Sequence, residues 1–280
     1  MYKFKIILII FSLMFLHSCS KKTENIKLIK ETDQKVEMIS AYEKGMGLVE
    51  IGDYFAASKK FLEAEILFPQ SQWAPKSSLM AAYAYYSKDY YDDAAAELIR
   101  FIRVYPLDKN LDYAYYLLAM SYYQKIVDEK KDLKSIIDAK ENFLILKQRY
   151  PNTEYALDAE FKLDLINDIL ASKEMYVGRY YLEKKKWIPA INRFKTVIYD
   201  YETTVYTEEA LHRLVEIYYI LGLEEESKKY ANTLGYNYQS SEWYERSYVI
   251  FNKNFKKKEI DKNKNSFLTG KIKSIFKRNE

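Results

Sequence analysis

The chain has 280 residues, of which 49% are apolar, with 44 basic and 40 acidic side chains, 7 Gly, 5 Pro, one Cys and two His. So few Gly and Pro argue against an all-β fold with many tight turns. The single Cys excludes an intrachain disulfide, and a zinc site would have to rest mainly on carboxylates. Tyrosine is the unusual component at 29 residues, and it suits packed helix interfaces that keep one edge wet.

The chain opens with an address. Lys3 and Lys5 precede Ile6–Leu16, an 11-residue apolar run. A helix spanning a bilayer needs roughly 20 apolar residues, so this run fits the core of a secretory signal peptide instead. Leu16-His17-Ser18-Cys19 follows and resembles the lipobox of bacterial lipoproteins, with His17 an unusual occupant of its middle position. The resemblance implies removal of residues 1–18, a lipid on Cys19 and anchoring by several acyl chains. Ser20, where retention in the inner membrane typically uses Asp, implies sorting to the outer membrane.

Charge is distributed in blocks. Residues 19–252 carry 32 basic and 37 acidic side chains, and residues 253–280 carry 10 basic and 3 acidic ones. The body, at −5, is no nucleic-acid surface. The tail, at +7, is either a solvated extension or a contact for anionic lipid or an acidic partner. Within it Phe267, Leu268, Ile272, Ile275 and Phe276 suit a short amphipathic turn or two.

A polar tether, residues 19–32, leads into helical periodicity. The spacing that follows is that of tetratricopeptide hairpins. Small residues sit where two helices approach, large ones lock between them, and Pro often follows the second helix. The first repeat has Gly45, Leu48, Gly52, Ala57, Phe61, Ala64 and Pro69. The second has Ala82, Tyr85, Tyr91, Ala94, Leu98, Phe101 and Pro106. The third has Ala119, Tyr122, Ala139, Phe143 and Pro151, with the insertion Val127–Lys134 lengthening its turn. The fourth has Gly178, Tyr181, Trp187, Ala190 and Phe194; the fifth, a weaker match, has Val215, Tyr218, Gly222, Ser227, Ala231 and Leu234.

These spacings predict an all-α, right-handed helical-hairpin solenoid of about five repeats. Repeats one to three occupy residues 33–152, and a linking helix with repeats four and five occupies 153–252. That extra helix, Glu154–Leu170, is expected to run into Lys173–Glu183 as one rod. The second tyrosine of each pair, such as Tyr86, Tyr116, Tyr123, Tyr180 or Tyr219, either lines the concave surface or joins the core.

No phosphate loop, HExxH, CxxC or GxSxG motif is present. The acidic runs Asp92-Asp93 and Glu224-Glu225-Glu226 fall at helix starts, where carboxylates favour the positive end of the helix dipole. Glu63, Glu65, Asp158 and Glu160 read as surface residues. The sequence therefore predicts no catalytic residue, no metal and no cofactor.

The lipobox together with YEKGMGLVEIGDYFAASKKF (42–61), SQWAPKSSLMAAYAYY (71–86), RFIRVYP (100–106), DYAYYLLAMSYY (112–123), KEMYVGRYY (173–181) and AINRF (190–194) resembles the BamD (ComL/YfiO) family of outer-membrane β-barrel assembly lipoproteins. The resemblance covers residues 16–252. It implies a scaffold without catalysis, lipid-anchored at Cys19 on the periplasmic face. It implies docking on the POTRA domains of a BamA-like insertase through the C-terminal repeats, and contact with unfolded barrel substrates and BamC-like lipoproteins through the N-terminal ones.

By position, Arg179, Asn192 and Arg193 are the implied partner-facing residues; pairing between helices within the solenoid is the other reading of each. Tyr42, Tyr85, Tyr86 and Tyr116 are the implied lining of a peptide groove. A competing class is a cell-envelope adaptor of the CpoB/YbgF type. Those usually carry an N-terminal coiled coil and lack a lipobox, and residues 20–32 are too short and polar for sustained heptads.

Overall fold

The computed structural model describes residues 31–126 and 133–252. The signal segment, Cys19, nearly all of the tether, most of the Val127–Lys134 insertion and the basic tail lie outside those residues. Eleven helices and no strand occur among the described residues. They are α1 Glu31–Glu50, α2 Tyr54–Leu67, α3 Trp73–Ser87, α4 Tyr91–Val104, α5 Leu111–Tyr123, α6 Lys134–Arg149, α7 Glu154–Glu183, α8 Trp187–Asp200, α9 Thr207–Ile220, α10 Glu224–Asn237 and α11 Glu242–Phe251. The fold is all-α and built from tetratricopeptide-like hairpins, as the spacing predicts. The chain divides into two compact units between Lys88 and Asp89, with α1–α3 in the first and α4–α11 in the second.

The turns explain why the helices fold back. After α1, Gly52 has φ +79°, its N–H bonds Val49 O at 3.0 Å, and the N–H of Asp53 bonds Leu48 O at 2.9 Å. This pair of bonds is the Schellman closure, which needs a left-handed residue at its centre. Gly222 (φ +73°) repeats it between α9 and α10, with the Leu223 N–H on Tyr218 O. Lys185 (φ +54°) repeats it between α7 and α8, with the Lys186 N–H on Tyr181 O. Asp53 then caps α2 by accepting from the Ala56 N–H at 3.2 Å.

Packing follows the small-large code. Phe61, Phe101, Phe143 and Phe194 are fully buried, as are Ala57, Ala94, Ala139 and Ala190. A Cβ on Gly45 would lie 2.7 Å from the Phe61 ring, and one on Gly178 would lie 2.6 Å from the Phe194 ring. Both glycines are therefore required for helix contact. In the weaker fifth repeat Ser227 replaces the usual Ala; it is buried, and its hydroxyl donates to Val215 O at 2.8 Å. Glu65, expected on the surface, is only 6% exposed. It falls on the inward stripe of α2, one residue after Ala64, so helix phase overrides its polarity.

The extra helix does run on. α7 is a single 30-residue rod, roughly 45 Å long at 1.5 Å per residue. Thr153 caps it by accepting from the Ala156 N–H. Its first half packs on α6, where Lys147 meets Glu160 at 2.7 Å and Lys140 meets Asn167 at 2.9 Å. Its second half packs on α8 through Gly178 and Phe194. One helix therefore serves two neighbouring hairpins, which fixes their spacing.

Candidate functional site

The KEMYVGRYY stretch lies at the end of α7, and it faces both α8 and α9. Arg179 donates from Nε to Glu209 Oε1 at 2.9 Å and from Nη2 to Glu209 Oε2. Glu209 also accepts from Arg213, whose Nη1 reaches Glu216 at 2.8 Å. Glu216 lies 3.4 Å from His212 Nε2, and the opposite ring nitrogen, Nδ1, is 2.8 Å from Ser247 Oγ. A continuous polar chain thus runs from α7 through α9 to α11.

Trp243 of the Ser241–Tyr244 run closes this chain. Its ring takes the guanidinium groups of Arg213 (5.4 Å) and Arg246 (4.7 Å), and the His212 ring lies 5.3 Å away. Burial alone pushes the Glu216 carboxyl up, but hydrogen bonds and charge from His212 and Arg213 outweigh it and hold the pKa at about 2. Burial also opposes ionisation of Glu209, and Arg179 and Arg213 bring its pKa below the usual carboxylate range. Ser247, His212 and Glu216 stand in the order of a nucleophile, base and acid. Ser247 has no exposed surface, so its hydroxyl acts as a strut between helices.

Arg193 on α8 donates from Nη1 to both oxygens of Glu174 on α7, at 3.1 and 2.9 Å. Its neighbour Asn192 is exposed, and its side chain makes no hydrogen bond among the described residues. The three predicted partner-facing residues therefore differ. Arg179 and Arg193 each tie two helices together while leaving 41% and 45% of the side chain exposed. The Asn192 side chain makes no such tie among the described residues.

In the first unit, α1 and α3 frame a groove of 340 Å³. Its wall is aromatic: Tyr42 meets Trp73 at 5.2 Å, edge to face, and Phe61 at 5.3 Å. The Lys76 ammonium sits 4.7 Å over Trp73 and 5.2 Å over Tyr42. Gly47 leaves the floor open, since nothing stands within 4 Å of a Cβ built there. Ile39, Met46, Glu43 and Glu50 complete the lining.

Of the four predicted groove tyrosines, Tyr42 lines this groove. Tyr85 is 3% exposed, accepts a hydrogen bond from Lys59 at 2.8 Å and packs on Phe55. Tyr86 is half-buried elsewhere on α3. Tyr116, in the second unit, donates to Asp158 at 2.8 Å and packs on Tyr155 and Phe143. Sequence reasoning missed Trp73 and Lys76. The available signal was the stripe Ile39, Glu43, Met46, Gly47 and Glu50 along one face of α1.

A second groove, of 520 Å³, lies between α10 and α11, lined by Gly235, Tyr236, Tyr244, Tyr248 and Phe251 among others. Tyr236 is 86% exposed there. Among the described residues no helix is long and apolar enough to cross a membrane.

Comparison with known proteins adds to this geometry. The family model YfiO, described as outer membrane lipoprotein, matches residues 34–234. The outer membrane protein assembly factor BamD of Caulobacter vibrioides is 41% identical over 236 residues, which are 84% of this chain and 76% of the relative. BamD of Rickettsia prowazekii is 39% identical over 237 residues, which are 85% of this chain and 92% of the relative. Among solved structures, pilF of Pseudomonas aeruginosa aligns over 77% of this chain and 98% of its own at 12% identity; its TM-score of 0.22 carries no structural argument. The match over residues 34–234, from the α1 groove to the end of the α10 packing core, places the chain in one family: it belongs to the YfiO family of outer membrane lipoproteins.

Proposed function

We propose that the chain is a lipid-anchored scaffold of outer-membrane β-barrel assembly that carries out no covalent chemistry. The observation that carries this reading is the similarity to BamD assembly factors over 84% of the chain. The anchor is the lipid on Cys19, which holds the mature chain on the periplasmic face of the outer membrane. The second unit docks on the POTRA domains of a BamA-like insertase. Two braces support this role: the α7–α9–α11 charge chain fixes Arg179, and the separate pair with Glu174 fixes Arg193, with both side chains partly exposed and Asn192 unengaged beside them. Preorganised polar groups lose little entropy on binding.

The first unit serves substrates and smaller lipoprotein partners of the BamC kind. Its groove pairs a Trp–Tyr wall with a lysine that makes no ion pair among the described residues. The aromatic wall suits an extended peptide that carries an aromatic residue, as at the end of an unfolded barrel strand. The test is affinity purification of the tagged chain from detergent-solubilised outer membranes. A POTRA-bearing barrel protein is expected in the eluate, and Asn192→Lys with Arg193→Glu is expected to deplete it. An eluate without such a protein would sink the reading.

A further inference from the structure

The first half of α7 carries large apolar side chains on its solvent face. Leu157, Phe161 and Leu165 are 61%, 70% and 49% exposed. Their spacing puts them on one stripe, opposite Ala156, Ala159, Leu163 and Ile166, which pack inward. Within a soluble domain such a stripe is exceptional, because single exposed apolar residues are common but aligned ones mark a contact.

The rim of the stripe is acidic. Asp164 and Asp168 fall on the same face, and Glu154 opens it. None of the three makes an ion pair among the described residues, whereas Asp158 and Glu160 on the flanks are engaged by Tyr116 and Lys147. Lys162, the one basic residue of this half, is turned onto the Tyr123 ring at 5.5 Å. The face therefore asks for a basic, amphipathic occupant.

We propose that this face is the docking site of the chain's own basic segment, Phe267–Arg278. That segment has Leu268, Ile272, Ile275 and Phe276 at helical spacing, with Lys271, Lys273, Lys277 and Arg278 between and after them. No acidic residue lies between Lys262 and Asn279. Its apolar stripe covers Leu157, Phe161 and Leu165, and its cations meet Glu154, Asp164 and Asp168. The described helices end at Phe251 in the same compact unit as α7. The residues between Asn252 and Phe267 reach roughly 50 Å when extended, about the length of α7 itself. Charge supports a partner within the chain, since the body is net negative and the tail strongly positive. The contact goes beyond the docking roles above and does not depend on them.

The test places p-benzoylphenylalanine at Phe161 in the full mature chain, purified with anionic phosphatidylglycerol vesicles present, and irradiates it. The expected product keeps monomer mobility and joins position 161 to a peptide from residues 264–280. The same label at Leu165 repeats the measurement one turn along, with circular dichroism confirming that each labelled chain is helical. Lys271→Glu, Lys273→Glu and Lys277→Glu together should reduce the yield about tenfold, as the loss of three modest ion pairs does. A product joining two chains, a product with lipid, or no product at either position would each overturn the assignment.

Discussion

The first and fourth hairpins share one packing device and differ in everything around it. Both press a glycine of one helix onto a phenylalanine of the next, Gly45 on Phe61 and Gly178 on Phe194. Both turn through the same Schellman closure. Beside the first, Glu43, Glu50 and Lys76 make no ion pair among the described residues; the two glutamates line an open groove, and Lys76 lies over the Trp73 and Tyr42 rings of its wall. Beside the fourth, Arg193 binds Glu174 and Arg179 binds Glu209, so the polar groups bolt helices together. The repeat code thus specifies helix contact alone; the residues that packing leaves over decide whether a hairpin presents a cavity or a braced face.

The largest effects should strike the shared device equally. Phe61→Ala and Phe194→Ala should each cost about 3–5 kcal/mol, read by denaturant unfolding. Gly45→Ala and Gly178→Ala should each cost about 1–3 kcal/mol, because the new methyl overlaps a ring held on all sides. Phe194→Leu should recover part of the Gly178→Ala loss. A tolerated alanine in one hairpin and not in the other would break the equivalence.

Next come the residues that differ. Glu209→Ala leaves Arg179 and Arg213 without their carboxylate and should cost about 1–2 kcal/mol, moderated by the exposure of Arg179. Glu43→Ala, at the groove, should change stability by less than about 0.5 kcal/mol. The comparison is sharpened by acid. Glu216 has a folded pKa of about 2, below an unfolded value of about 4.3, so it binds its proton less readily when folded. Its contribution is present above the unfolded value and is lost as pH falls through that window toward the folded one. Glu209 acts in the same direction. Denaturation from about pH 5 down to about pH 2.5 should show this loss, and Glu216→Gln should flatten its share of it.

The smallest effect concerns the turns. Lys185 holds the left-handed position that Gly52 and Gly222 hold elsewhere. Lys185→Gly should raise stability by up to about 1 kcal/mol, less the entropy that glycine adds to the unfolded chain. The measured quantity is a small rise in melting temperature.

How far the sequence could be read follows from the range of each signal. Gly45 with Phe61 and Gly178 with Phe194 were legible because helical spacing is local and repeats. The α7 rod was legible because no Gly or Pro interrupts 154–176. The turn between Glu183 and Trp187 was legible from the repeat, but its left-handed residue, Lys185, was not, since no glycine stands there. The partners of Arg179 and His212 lie 30 and 35 residues away, on other helices, where periodicity says nothing. Tyr85 is a locking residue by its repeat position and groove lining only by the resemblance, and the structure has it in the core beside Phe55. Trp73 was invisible as a wall because its partner, Tyr42, is on a helix two elements earlier. The exposure of Leu157, Phe161 and Leu165 required the packing of α6 to be known.

The central claim is that this chain assists barrel assembly. Depleting it in its native cell and measuring the heat-modifiable, folded barrel proteins of the outer membrane tests that claim most directly. The account predicts that folded barrels fall while their transcripts persist, and that the full-length gene restores them. Unchanged barrel content after complete depletion would contradict it.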